Sequence, residues 1–89
     1  MRLYTADNAD RIYLSPYAGY VLSPEEVLFE NHVTGQAVKL KANALIQASL
    51  IRTLENGGET AFLKSILDTV SPDHGESLFA ALIQKGIIE

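Results

Sequence analysis

The chain has no cysteine and no tryptophan among its 89 residues, and only three prolines. Without cysteine there are no disulfides and no thiolate metal sites, which points to a reducing cytoplasm. Basic charge is scarce: seven Lys and Arg stand against eleven Asp and Glu, for a net charge of -4. Nucleic-acid binders carry a basic face that neutralises phosphates. Here the bases are scattered over Arg2, Arg11, Lys39, Lys41, Arg52, Lys64 and Lys85, and only Lys39 and Lys41 share a strand face. No apolar run approaches the roughly 18 residues that span a membrane, and the N-terminus lacks the apolar segment of a signal peptide. These absences predict a soluble cytoplasmic domain with neither nucleic acid nor membrane as partner.

The signatures of catalysis are missing as well. Gly57-Gly58 is followed by Glu59 rather than by the Lys-Ser/Thr of a phosphate loop. No serine lies in a Gly-x-Ser-x-Gly elbow. His32 and His74 have no second ligand at a metal-binding spacing, and a metal needs three or four converging ligands. Glu25, Glu26 and Glu59 fall at turns and helix starts, where solvation and the helix dipole account for them. The expectation is a chain with no catalytic residues, no metal and no cofactor.

What is present is a change of period. In Gly35-Gln36-Ala37-Val38-Lys39-Leu40-Lys41, Val38 and Leu40 alternate with Ala37, Lys39 and Lys41, and helical spacing begins directly after Ala42. Before this stretch come Ile12-Tyr13-Leu14, a short strand or an extended entry stopped by Ser15-Pro16, and the strand formers Tyr17 to Leu22, stopped by Ser23-Pro24. A turn at Pro24-Glu25-Glu26 leads to a strand from Val27 to Glu30. A hairpin loop over residues 31–35 follows, with Gly35 supplying a positive φ. Tyr4, Tyr13, Tyr17 and Tyr20 crowd the N-terminal part; they either cover the sheet or line an interface with a partner.

Three helices follow. Asn43 is the expected N-cap of the first, whose apolar residues from Ala44 to Leu54 lie almost all round the wheel, as in a buried central helix. It ends at Asn56-Gly57-Gly58. The second carries the stripe Phe62, Leu63, Ile66, Leu67 and Val70. The third is expected from about Pro72 to Lys85, with Ser71 as N-cap, Pro72 in the first turn and Gly86 as the stop. Ile87-Ile88 are expected to fold back onto the core. The fold class is therefore α+β, a three-stranded antiparallel meander followed by three helices in a winged-helix-like order. Residues 1–11 read as a loose arm and residues 12–89 as a single domain. At 47% apolar, so short a chain has apolar side chains in excess of its small core, which suggests a sticky surface for a partner.

The residues from Val27 to Asn31 and from Thr34 to Ala44 resemble a segment of the PqqD-like family, in which a short strand, a Thr-Gly turn and a second strand enter a helix. Leu54 to Leu63 is similar to that family's helix junction, and Leu78 to Ile88 to its last helix. The resemblance spans roughly residues 17–88. It implies a RiPP recognition element, a winged-helix-like domain that binds the leader of a ribosomally made precursor peptide and presents it to a modifying enzyme such as a radical SAM protein. It further implies that the leader adds as a strand beside the third strand, in a groove walled by the third helix. The peptide-binding residues expected on this basis are Gln36, Ala37, Val38, Lys39, Leu40 and Lys41, with Phe79, Leu82 and Ile83 across the groove. Lys39 and Lys41 either protect the edge against aggregation or pair with acidic leader residues. Two other functions remain open at this level: a winged-helix DNA-binding regulator, and a small accessory subunit that binds another protein. An uncapped edge strand also opens a route to homodimerisation.

Overall fold

The computed structural model describes residues 11–89. The expected arm therefore lies outside the described residues except for Arg11, and so does Tyr4. Three antiparallel strands, β2 (Ala18–Ser23), β3 (Glu26–Asn31) and β4 (Ala37–Lys41), form a sheet in the order β2-β3-β4. Helices α1 (Ala44–Asn56), α2 (Thr60–Val70) and α3 (Gly75–Gln84) follow. The chain is α+β, as its periodicities predict.

A second, smaller sheet begins where the sequence allows a short strand, at Ile12, but its pairing is not foreseen. β1 (Arg11–Ile12) pairs antiparallel with β5 (Gly58–Glu59), the link between α1 and α2. Arg11 Nη2 also donates to the Gly57 carbonyl (3.2 Å). The chain then runs on against the C-terminus: Glu89 N–H donates to the Tyr13 carbonyl (2.8 Å), and Leu14 bridges to Ile88. Ile87 and Ile88 are buried as expected. Strands this short have no period to read, so only tertiary pairing reveals them.

Direct cross-strand partners share a face of the sheet. Tyr20, Phe29 and Val38 line one row of the inner face, and Leu22, Val27 and Leu40 the next. Val27 and Phe29 have no exposed surface and join Leu50, Leu54, Leu63, Leu67 and Leu82 in one core cluster. Each such side chain contributes about 1.5–3 kcal/mol when fully buried.

Two helix expectations change. α1 is not a buried central helix: Gln47, Leu50 and Leu54 are buried, while Leu45 is 83% exposed. One stripe faces the sheet and the opposite side faces solvent, so the apolar residues all round the wheel exceed what the core can cover. The other change concerns the start of α3. Ser71 closes α2, its N–H donating to the Leu67 carbonyl (3.0 Å), and its own carbonyl accepts from His74 N–H (2.9 Å). Asp73 sits at φ +69°, which ends any helix before α3 begins at Gly75. The cap is supplied instead from α2, where Asp68 Oδ1 accepts from Gly75 N–H (3.1 Å). A Cβ at Gly75 would lie 2.8 Å from the Lys64 carbonyl oxygen, so the glycine permits the close crossing of α2 and α3. Asn43 does cap α1, its Oδ1 accepting from Ile46 N–H (3.0 Å), and Gly35 takes its positive φ of 78°. Among the described residues no helix is long and apolar enough to cross a membrane.

Candidate functional site

β4 is an edge strand, and its register decides which backbone groups are free. Asn31 N–H donates to the Gln36 carbonyl (2.8 Å), and Ala42 N–H donates to the Glu25 carbonyl (2.9 Å). Backbone direction alternates along a strand, so Gln36, Val38, Leu40 and Ala42 turn toward β3. Ala37, Lys39 and Lys41 turn their N–H and C=O groups away from the sheet. Among the described residues no further hydrogen bond takes those groups. The side chains of Lys39 and Lys41 stand exposed on the outer face, and neither makes an ion pair among the described residues.

This sorts the residues expected from sequence. Ala37, Lys39 and Lys41 supply the free main chain, and the two lysines add charge. Val38 is half-buried at the lip of the core. Leu40 is buried with its main chain bonded inward, so it supports the strand and offers nothing to a ligand. Gln36 precedes the strand; its carbonyl serves Asn31, and its N–H donates to Thr34 Oγ1 (3.2 Å).

The two ends of β4 have different surroundings. At one end Asn31 Nδ2 donates to the Gly86 carbonyl (2.9 Å), while Asn31 Oδ1 accepts from Val33 N–H (2.8 Å) and Thr34 N–H (3.0 Å). One side chain thus joins the hairpin loop to the C-terminus of α3. At the other end Val70, leading into the turn before α3, shares a hollow of about 690 Å³ with Lys41, Ala42, Ile46 and the Ser23–Glu26 turn. Gln47, which is buried, holds that end together: its Nε2 donates to the carbonyls of Ser23 (2.8 Å), Ala42 (2.8 Å) and Glu26 (3.1 Å).

The residues expected on α3 differ in their surroundings. Leu82 has no exposed surface and belongs to the core. Phe79 lies under Lys64, whose Nζ is 5.0 Å from the ring centroid and 3.7 Å from Glu76 Oε2. Lys64 is on α2, so the Glu76–Phe79–Ile83 flank of α3 is turned toward α2. The flank turned away from α2 is Leu78, Ala81 and Lys85, at helical spacing and half-buried. Leu78 packs against the core cluster. These residues, rather than Phe79 and Ile83, stand on the side of α3 away from α2.

The tyrosines gather elsewhere. Tyr20 stacks edge-on against Phe29, with centroids 6.3 Å apart, and its hydroxyl donates to Glu55 Oε2 (2.6 Å). That hydrogen bond, with some burial and the carboxylate charge, raises the Tyr20 pKa above its usual value. Tyr13 packs over Gly57, and Tyr17 is exposed at the start of β2. All three lie on the β1 and β2 side of the molecule, away from the β4 edge.

Sequence reasoning missed Gln47 and Asn31. Gln47 does leave a trace, a polar residue in register with Leu50 and Leu54 on the buried stripe of α1. Asn31 leaves none beyond its place at a turn. Scanned against protein-family models the chain matches none, and it matches no curated protein.

Proposed function

We propose that this chain is a non-catalytic peptide-binding module. It takes up the leader of a ribosomally made precursor peptide as an added strand along β4 and presents that peptide to a separate modifying enzyme, such as a radical SAM protein. The observation that carries this reading is the unpartnered backbone of Ala37, Lys39 and Lys41. In strand addition the main-chain hydrogen bonds give affinity, and side-chain sites on either face give selectivity. Lys39 and Lys41 lie two residues apart on the outer face, so they select acidic residues at the same alternate spacing. The resemblance makes α3 the opposing wall, and the flank it would offer is Leu78, Ala81 and Lys85, turned away from α2; a strand running past Lys41 would continue into the 690 Å³ hollow. The free edge supports an extended acidic peptide. That this peptide is a precursor leader is supported by the likeness of residues 27–31 and 34–44 to the PqqD-like segment.

The test is a titration with synthetic leaders of precursor peptides encoded beside the gene, followed by backbone amide NMR. Shifts are expected along residues 37–41 and at Leu78, Ala81 and Lys85. No shift with any such leader, or shifts confined to residues 18–23, sinks the reading.

A further inference from the structure

Among the described residues the sheet has a second free edge, and it is built differently. His32 N–H donates to the Tyr17 carbonyl (2.8 Å), so by alternation Gly19, Val21 and Ser23 turn their main chain toward β3. Ala18, Tyr20 and Leu22 turn outward. The N–H of Ala18 is already given to the Ser15 carbonyl (3.0 Å). Among the described residues, the N–H and C=O of Tyr20 and Leu22 have no partner. The strand, Ala18-Gly19-Tyr20-Val21-Leu22-Ser23, carries no charge and no proline, and Val21 and Leu22 are 62% and 50% exposed. Sheet edges are normally kept from pairing by charge, proline or a bulge, and β2 has none of these.

We propose that β2 is a self-association edge, pairing antiparallel with β2 of a second copy of this chain about a two-fold axis through Val21. The register follows from which groups are free. An axis at Val21 sets Tyr20 opposite Leu22 of the second copy and Leu22 opposite its Tyr20, so every free N–H and C=O of both residues gains a partner. An axis at Tyr20 would instead oppose Leu22 to Ala18, whose N–H is taken. At the Val21 axis the two valines meet on the outer face, burying apolar surface that the monomer exposes. The contact is isologous and self-complementary, and it joins the two sheets into one of six strands. A second copy is the occupant that fits, because an uncharged edge offers a peptide no charge to select. β4 is poorly suited to the same pairing, since an axis at Leu40 would set Lys39 opposite Lys41 of the second copy. The proposal does not rest on peptide binding at β4, which is the other edge of the sheet.

A contact of one short strand per chain is far smaller than the roughly 20–30 residues per side of a standard interface. The dimer is therefore weak and depends on concentration. The test is sedimentation equilibrium of the full chain from about 10 μM to about 1 mM, the range in which weak complexes form. Wild type is expected to pass from monomer to dimer across it. Val21→Lys places like charges across the axis and should raise the dissociation constant roughly tenfold or more. Leu22→Pro removes one outward N–H without touching the β2–β3 ladder and should have a similar effect. Val33→Lys, at an exposed apolar position in the hairpin loop, should leave the dimer unchanged. Circular dichroism confirms that each variant is folded. A wild-type chain that stays monomeric throughout, or a Val21→Lys variant as dimeric as wild type, overturns the proposal.

Discussion

β2 and β4 flank the same central strand and have similar lengths, yet their edges are opposites. β4 carries Lys39 and Lys41, and the hairpin loop before it is tied to the C-terminal end of α3 through Asn31. β2 carries no charge and is tied to a helix through Tyr20 and Glu55. On the proposed reading, the lysines on β4 discourage pairing with another copy while leaving the backbone available to an acidic strand, and β2 has neither feature. The difference between the two edges lies in side chains rather than in backbone geometry.

The largest expected effect strikes both edges at once. Gln47→Ala removes the buried amide that joins the Ser23 and Glu26 carbonyls, at the β2–β3 turn, to Ala42, where β4 exits. Losing the buried bond to Ala42 and the two bonds to the turn should cost about 1–3 kcal/mol. For a domain of this size the melting temperature should fall by about 4–8 °C per kcal/mol, and leader affinity and self-association should weaken together. A melting temperature within a degree of wild type would show that Gln47 does not hold this end of the sheet.

Next in size is a reciprocal pair of prolines. Lys39→Pro removes an outward N–H and a charge from β4 and leaves the ladder to β3 intact. It should weaken leader binding about tenfold or more and leave self-association alone. Leu22→Pro should do the reverse. If either variant affects both readouts in a folded protein, the two edges are not independent. Lys39→Glu is milder, because an exposed ion pair is worth only about 0.2–1 kcal/mol. Reversing the charge should weaken an acidic leader roughly three- to tenfold, with unchanged thermal stability. Calorimetric affinities equal to wild type would remove charge selection from the account and leave the backbone edge in place.

How much of this was legible in the sequence follows from the range of each signal. The alternation from Ala37 to Lys41 encoded the strand, its faces and its exposed lysines, because side-chain period is local. Asn43 and Gly35 announced their roles through cap and turn chemistry. Which flank of α3 turns away from α2 was not legible. That Phe79 faces Lys64, and that Leu78, Ala81 and Lys85 form the other flank, depends on how α3 is rotated against α2. Gly75 sets that crossing by close approach of two backbones. The sequence shows the glycine but not what presses on it. Ser71 misled for a related reason: a Ser-Pro pair after an apolar stripe signals a helix start, but the left-handed Asp73 puts a turn there. The free edge of β2 had no local signal at all, since an uncharged strand reads the same in the middle of a sheet as at its border.

The smallest effect tests the tie that β2 has to α1. Tyr20→Phe deletes the hydroxyl that donates to Glu55 but keeps the ring against Phe29. The bond is exposed, so the loss at neutral pH should stay within the roughly 0.5 kcal/mol typical of surface substitutions. Its pH dependence is more telling. The folded-state pKa of Tyr20 is raised above 10.0, chiefly by this bond, so unfolding releases the proton more readily than the folded state does. The stabilisation is fully present below the unfolded value and is lost as pH rises through the folded one. The difference in denaturant midpoint between wild type and Tyr20→Phe should therefore be constant from pH 7 to about 9.5 and shrink above about 10. In ultraviolet titrations of the native protein, the difference between wild type and Tyr20→Phe should show Tyr20 ionising above its usual value, and a difference signal complete by about pH 10 would refute the tie. Leader affinity at β4 should be the same in both proteins, since nothing at that edge depends on Glu55.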